Sequence, residues 1–357
     1  MLEKLSICLD RFLERGIPGY DCVIYHKGEA VYRRTCGYSD REKAIPMRGD
    51  EVFNVYSCSK LVTCVAALLL WERGVISLDH PLSRYLPEFS EVLYMSETGA
   101  KRAEREITLK DLFCMSAGFS YNIYSPNLRL CREETDGKCP TREAMRYLSR
   151  DFLLFSPGER WEYSLCHDVL AAVIEVASGV RFGKFVEENI FKPLGMKNST
   201  FSHTSEIMSR VAPQYSLTKG KVERITVENE YVIGSEYECG GGGCISTVDD
   251  FIIFLEALRK GEILRSETVD MMTENRFSAS ELRRYWIPNY GYGLGVRCSK
   301  GNDGITDFGW GGAAGAFLFI DRENELSGFY AQHVRRSGIE DEWLSLVPMV
   351  KSEFLWD

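Results

Sequence analysis

A serine and a lysine three residues apart, in Ser57-Cys58-Ser59-Lys60, stand at the head of an apolar run. Residues three apart on a helix share a face, so Ser57 Oγ and Lys60 Nζ would point the same way from its first turn and could hydrogen-bond. An amine carried into a core at the positive end of a helix dipole is driven toward its neutral form by desolvation and by the dipole. A neutral amine can take the serine proton, which a weak hydroxyl nucleophile requires. The chemistry implied is covalent catalysis, with Ser57 carrying an acyl group.

The run that would position this pair, Leu61 to Glu72, holds good helix formers and no proline, with Gly74 just past its end. The spacing predicts one helix stopped at Gly74. Apolar residues lie on every side of it, so it belongs in a core, and it is too short to span a bilayer. Composition alone supplies about one Ser-x-x-Lys per chain of this length, and a second match occurs at Ser216-Leu217-Thr218-Lys219. That one runs into Gly220-Lys221 between polar residues and reads as a hairpin turn. Cys58 is a competing nucleophile, but it sits about 100° around the helix from Ser57 and would face elsewhere.

Two further segments carry chemistry. Pro157 to Ser164 reads as a turn and a short extended segment before a helix from Asp168 to Ser178, with Tyr163 at the junction. A phenol held near a lysine can act as general acid or base; among eighteen tyrosines, a packing role is the alternative. Phe308-Gly309-Trp310-Gly311-Gly312-Ala313-Ala314-Gly315 reads as a glycine-rich turn leading into a strand. Glycines at a strand edge let a substrate approach the backbone, and a free amide there can pair with that of Ser57 as an oxyanion hole.

Taken together and in this order, the three segments resemble the serine β-lactamase and penicillin-binding-protein superfamily over nearly the whole chain. Framework stretches agree: Gly74 to Phe89, Met115 to Phe119, Phe191 to Met196 and Gly241 to Phe251. The resemblance implies that Ser57 is the nucleophile, Lys60 its base partner and Tyr163 the second acid/base. It also implies that the amides of Ser57 and Ala313 form the oxyanion hole, and that neither a cofactor nor a metal is needed. Class C β-lactamases carry Tyr-x-Asn where this chain has Tyr163-Ser164-Leu165, and Lys-Thr-Gly where it has Trp310-Gly311-Gly312. A buried charge-assisted hydrogen bond is worth about 1.5–3 kcal/mol. Losing that lysine should therefore cost roughly ten- to a hundredfold in affinity for a penicillin-like carboxylate.

Tyr-Ser-Leu with Trp-Gly-Gly is instead similar to the family VIII carboxylesterases. An apolar wall of Leu165 and Trp310, with Gly311, Gly312 and Tyr121 as further substrate contacts, suits an uncharged small ester or amide. Tyr124, Trp286 and Tyr290 are expected to shape the same pocket. His167 could orient the Tyr163 hydroxyl; a histidine satisfied at the surface or just behind the site is the preferred reading. Asp168 reads as an early-helix carboxylate favoured by the dipole. The leading expectation is a carboxylesterase on small acyl esters. The rivals are a β-lactamase or D-alanyl-D-alanine peptidase, an acyltransferase, and a non-catalytic binding protein on the same scaffold.

Composition bounds the partners. The 357 residues are 45% hydrophobic and carry a net charge of −9 with no compensating basic block. That supplies a sizeable core and argues against nucleic acid or an anionic membrane as partner. Met1 to Phe12 alternates charged and apolar residues at helical spacing, so it reads as an amphipathic helix and not a signal peptide. Twelve cysteines are then expected to be reduced, mostly buried thiols in a cytoplasmic protein. None has ligand spacing for zinc. Nothing in the sequence fixes an oligomeric state.

The elements around these residues imply an α+β fold. Tyr20 to Tyr25 and Ala30 to Thr35 read as a hairpin. Strands return at Gly291 to Val296, Ala314 to Ile320 and Leu326 to Gln332, and a last helix runs from about Asp341 to Phe354. Strands at both ends predict an antiparallel sheet built by the two termini and flanked by helices. One catalytic module over 1–357 results, with a sheet subdomain at 1–56 plus 265–357 and a mostly helical subdomain at 57–264. The active site is expected in the cleft between them. Residues 96–105 and 127–140 read as inserted loops at its rim.

Overall fold

The first element follows from its pattern. Helix α1 (Glu3–Glu14) turns Leu5, Cys8, Leu9 and Phe12 inward at intervals of three and four. The computed structural model describes residues 2–218, 220–226, 229–301, 304–339 and 342–354. After α1 come β1 (Gly19–His26), β2 (Glu29–Asp40) and the short β3 (Ile45–Pro46). Near the C-terminus follow β4 (Gly291–Tyr292), β5 (Arg297–Cys298), β6 (Asp307–Gly311), β7 (Phe317–Asp321) and β8 (Leu326–Gln332). These eight form one antiparallel sheet in the order β4-β5-β6-β7-β8-β1-β2-β3, so β1 lies beside β8 at the sheet's centre.

Alternation along the strands splits the interior into two cores. Phe317 and Phe319 of β7 join a smaller core with α1 and the last helix, while Leu318 and Ile320 join the main core beneath the helices. In that main core α2 (Ser59–Glu72) is buried from Ser59 to Leu70 and packs on α3 (Cys166–Ser178), while α4 (Val248–Lys260) lies against β8, β1 and β7. The helix α5 (Trp343–Phe354) covers the other face with α1. Caps fall where the sequence puts them. Thr108 and Asp111 form a capping box, Thr247 Oγ1 accepts from the Asp250 amide, and Gly74 closes α2 at φ +70°.

Several expected boundaries move. Residues 96–105 are not a loop but largely a hairpin, Leu93–Ser96 paired with Gly99–Arg102 and turned at Gly99, whose φ is +109°. Most of 127–140 is the helix Pro126–Glu134, because Ser125 Oγ caps the Leu128 amide and Leu128 and Cys131 bury one face. The segment from Asp307 to Gly311 is itself a strand, and the turn begins only at Gly312. The strand expected from Ala314 starts at Phe317, since Gly315 at φ +99° belongs to that turn. The strand expected to run to Val296 stops at Tyr292 because Gly295, at φ +87°, breaks it. Ser216 to Thr218 does lie in a hairpin, and Lys219 and Asp341 fall outside the described residues. Among the described residues no helix is long and apolar enough to cross a membrane. None of the twelve cysteines is in a disulfide, and all but Cys36 are buried.

Candidate active site

Ser57 sits in a 3₁₀ turn, Tyr56–Cys58, that feeds directly into α2. The turn is strained: Tyr56, a bulky aromatic, holds φ at +45°. It is kept there by burial, by a hydrogen bond from its hydroxyl to Gln214 Oε1, and by edge contact with the Tyr231 ring at 6.0 Å. Sequence reading missed this. The signal, a residue forced left-handed just before a serine, is invisible in composition.

Lys60 is fully buried one turn further on. Its Nζ donates to the Gly241 carbonyl at 2.6 Å and lies 3.2 Å from Ser57 Oγ and 3.4 Å from the Tyr121 hydroxyl. The loop that supplies Gly241 is pinned to the same helix. Thr63 Oγ1 donates to the Gly240 carbonyl at 2.7 Å, and the Cys244 amide donates to Ser59 Oγ at 2.9 Å. The first turns of α2 and residues 240–244 thus form one rigid unit. Cys58 points into the core with its thiol pushed up by burial, and takes no part.

Tyr163 arrives from the extended segment before α3. That segment is tied down by the amides of Trp161, Glu162 and Leu165, which donate to the carbonyls of Glu281, Met115 and Ser120. The Tyr163 hydroxyl lies 2.5 Å from Ser57 Oγ. Its ring stacks with Tyr121 at 5.0 Å and with Trp310 at 5.9 Å, meets the edge of Trp286 at 5.2 Å, and carries Lys60 Nζ 4.6 Å from its centroid. Burial drives the Tyr121 hydroxyl well up, and the neighbouring Tyr163 adds to the effect. Tyr121 is therefore a neutral hydrogen-bonding group here.

These residues line a cavity of about 430 Å³. Ser57, Tyr163, Tyr121 and Trp310 form one part of its wall, with Gly311, Gly312 and Ala313 beside them. The turn is shaped for close approach: Gly312 donates to the Ala316 carbonyl, and a Cβ on Gly312 would stand 2.3 Å from the Val55 oxygen. Tyr231, Trp286, Arg297, Phe317 and Trp343 are among the other lining residues, and of these only Trp286 was expected.

Expectations for five residues change. Leu165 does not line the cavity: it is 2% exposed, caps α3 through its backbone, and packs into the main core. Tyr124 is exposed and bonds Glu230, while Tyr290 is buried against Asp307; neither lines the cavity. His167 is neither at the surface nor against Tyr163. It is fully buried in α3, with Nε2 3.3 Å from the Phe113 carbonyl and 3.5 Å from Cys64 Sγ, and burial pushes its pKa down to about 3. Asp168, read as a helix-end carboxylate, is also fully buried. Oδ1 accepts from the Tyr237 hydroxyl at 3.0 Å, and burial raises its pKa against the opposing pull of Lys60. Among the described residues no group of three or more His, Cys, Asp or Glu is arranged to hold a metal ion.

A nucleophile-sized hydroxyl, a phenol and an amine converge beside a glycine-rich strand end, which is the geometry of serine acyl transfer. The family model described as Beta-lactamase matches residues 6–340. Esterase EstB of Burkholderia gladioli is 29% identical, over 92% of this chain and 89% of that protein. Lovastatin esterase of Penicillium rubens is 28% identical, over 86% of each. Among solved structures, EstCE1, a hydrolase with promiscuous acyltransferase activity, superposes with a TM-score of 0.83 at 25% identity, covering 98% of both chains.

Proposed function

The chain belongs to the beta-lactamase family, and within it we propose a serine hydrolase that works as a carboxylesterase on small acyl esters, with Ser57 as nucleophile. The observation that carries this reading is the approach of Tyr163 Oη to Ser57 Oγ at 2.5 Å, with Lys60 Nζ at 3.2 Å from the same oxygen. The esterase relatives EstB and lovastatin esterase support it. The cavity takes lining from Ser57, Tyr121, Tyr163 and Tyr231 and from residues between Trp286 and Leu344, which supports a site in the cleft between a sheet subdomain, 1–56 plus 265–357, and a mostly helical subdomain, 57–264.

In this reading Ser57 Oγ attacks the acyl carbonyl, and its proton passes to Lys60, the base partner, by way of the Tyr163 hydroxyl, which hands on its own proton as it takes the serine's. Lys60 Nζ stands 3.2 Å from Ser57 Oγ and is itself held by the Gly241 carbonyl. The amides of Ser57 and Ala313 take the oxyanion. Tyr163 returns the proton to the departing alcohol, and water then releases the acyl group by the same steps in reverse. Trp310, where many relatives of this superfamily have lysine, favours esters over penicillin-like substrates.

The test is fluorophosphonate labelling mapped by mass spectrometry. Wild type should carry the adduct on Ser57, and Ser57→Ala should not; equal labelling of both removes Ser57 from the role. Rates on p-nitrophenyl acetate, a chromogenic cephalosporin and a D-Ala-D-Ala peptide then separate esterase from β-lactamase and peptidase. A second reading, acyl transfer to an alcohol, is favoured by the EstCE1 likeness. It predicts ester products when a short alcohol is added to the assay.

A further inference from the structure

Arg297 is fully buried, yet it lines the same cavity as Ser57. Its guanidinium lies 4.4 Å from the Tyr290 ring centroid and 5.3 Å from that of Phe317, and Nη1 donates to Asp307 Oδ2 at 2.5 Å. Asp307 is not spent on Arg297 alone, because it also accepts from the Tyr290 hydroxyl and faces Lys351 Nζ at 3.8 Å. Arg297 Nε and Nη2 have no partner among the described residues, although both are buried. Trp343 Nε1, on another wall of the cavity, is likewise buried and unpartnered. Buried donors without acceptors are rare and costly, and three on one cavity all lack the same thing.

Alternation in β6 sets Trp310 toward Tyr163 and turns Gly309 and Gly311 to the opposite face, where Gly309 pairs with Arg297 and Gly311 with Phe317. Trp343 packs so closely on Gly311 that a Cβ there would lie 2.4 Å from its ring. The cavity includes Gly311 and Gly312 together with Arg297, Phe317 and Trp343.

From this we infer that the cavity takes an ester bearing a carboxylate, whose two oxygens lie on the Nε and Nη2 edge of Arg297 with Trp343 Nε1 as a further donor. The parallel pair of N–H groups on one guanidinium edge matches a carboxylate in a bidentate fork. The cation lost at Trp310 is thus replaced by one on the neighbouring strand, at a different place in the cavity. The inference rests on the Ser57 reading only for turnover; the anion site itself can be tested without it.

The experiment compares two matched pairs of substrates: the p-nitrophenyl half-ester of succinate against p-nitrophenyl butyrate, and 4-acetoxybenzoate against its methyl ester. The first pair puts the carboxylate on the acyl side, the second on the alcohol side. In at least one pair the anionic substrate should be preferred in kcat/KM, and Arg297→Lys, which keeps a cation for Asp307 but loses the planar edge, should cut that preference by about ten- to a hundredfold. Preference for the neutral ester in both pairs, or a preference unchanged in Arg297→Lys, overturns the inference. If Arg297→Lys melts early, Trp343→Phe replaces it, and should lower the same ratio by removing one donor. Calorimetric titration of Ser57→Ala with succinate and with 4-hydroxybenzoate reads the site apart from catalysis. Binding of either anion that is lost with Arg297→Lys supports it even if no ester is turned over; no binding of either means that water alone fills the donors, and sinks it.

Discussion

Lys60 Nζ donates its shortest hydrogen bond, 2.6 Å, to the main-chain carbonyl of Gly241 and not to Ser57. The lysine is therefore aimed by a backbone atom 181 residues away. Its neighbour is equally exacting: a Cβ on Gly241 would lie 2.5 Å from Asp168 Oδ2 and 3.4 Å from Lys60 Nζ. Both are ends of buried side chains that have little room to yield.

Gly241→Ala should accordingly clash with the Asp168 carboxylate and shift the backbone carbonyl that aims the amine, without touching Ser57 or Tyr163. Weakening one buried hydrogen bond corresponds to about 1–3 kcal/mol, or roughly five- to a hundredfold in kcat. Steady-state kinetics on p-nitrophenyl acetate, with a melting curve to confirm folding, measure it. Unchanged kcat in a folded variant would show that the Gly241 carbonyl does not position Lys60 for the reaction.

Tyr163→Phe separates proton transfer from packing. The ring, and with it the contacts to Tyr121, Trp310 and Trp286, is retained, while the oxygen 2.5 Å from Ser57 Oγ is lost. General acid–base groups contribute about 10²–10⁴-fold, so kcat should fall by that much with KM little changed. A loss confined to KM would make Tyr163 a binding residue.

How far the sequence reached depends on whether a feature is local. Ser57 and Lys60 share a helical face by spacing alone, and the fold class follows from where the strands cluster. Their convergence with Tyr163 needed the likeness to a known family, because 106 residues separate Tyr163 from Ser57. Leu165 was misread because it stands at the asparagine position of the Tyr-x-Asn pattern, whereas the chain here turns into α3 and sends it to the core. Gly241 acts through its carbonyl, which no side-chain pattern reveals. Arg297 and Trp343 were missed for a related reason. A two-residue strand has too little alternation to fix its face, and Trp343 belongs to a helix whose packing partner is 26 residues earlier, at Phe317.

Trp310 stands 3% exposed among Tyr163, Tyr285, Trp286 and Tyr292. Removing a buried indole costs about 3–5 kcal/mol through lost burial and the cavity left behind. Trp310→Ala should show that loss in urea unfolding, and lose activity as well because Tyr163 no longer has a ring behind it. Trp310→Phe should recover most of both. A Phe variant as inactive as the Ala variant would assign Trp310 to substrate contact and not to support of Tyr163.

His167 sets an acid limit on the fold. Its ordinary pKa is 6.5, and burial, aided by the charge of Lys60, lowers it to about 3 in the folded chain. Between those values the unfolded chain binds a proton that the folded chain refuses, so stability is present above pH 6.5 and drains away as pH falls toward 3. The slope for one such group is about 1.4 kcal/mol per pH unit within the window. His333, lowered to about 4 by its own burial, acts in the same sense. His167→Gln keeps an N–H for the Phe113 carbonyl and removes the titration. Urea unfolding at pH 7, 6 and 5 should then show wild type losing stability faster than the variant by about one proton's worth of slope. Parallel losses in the two proteins would mean that His167 is protonated in the fold, and that its burial is compensated by a partner other than Phe113 and Cys64.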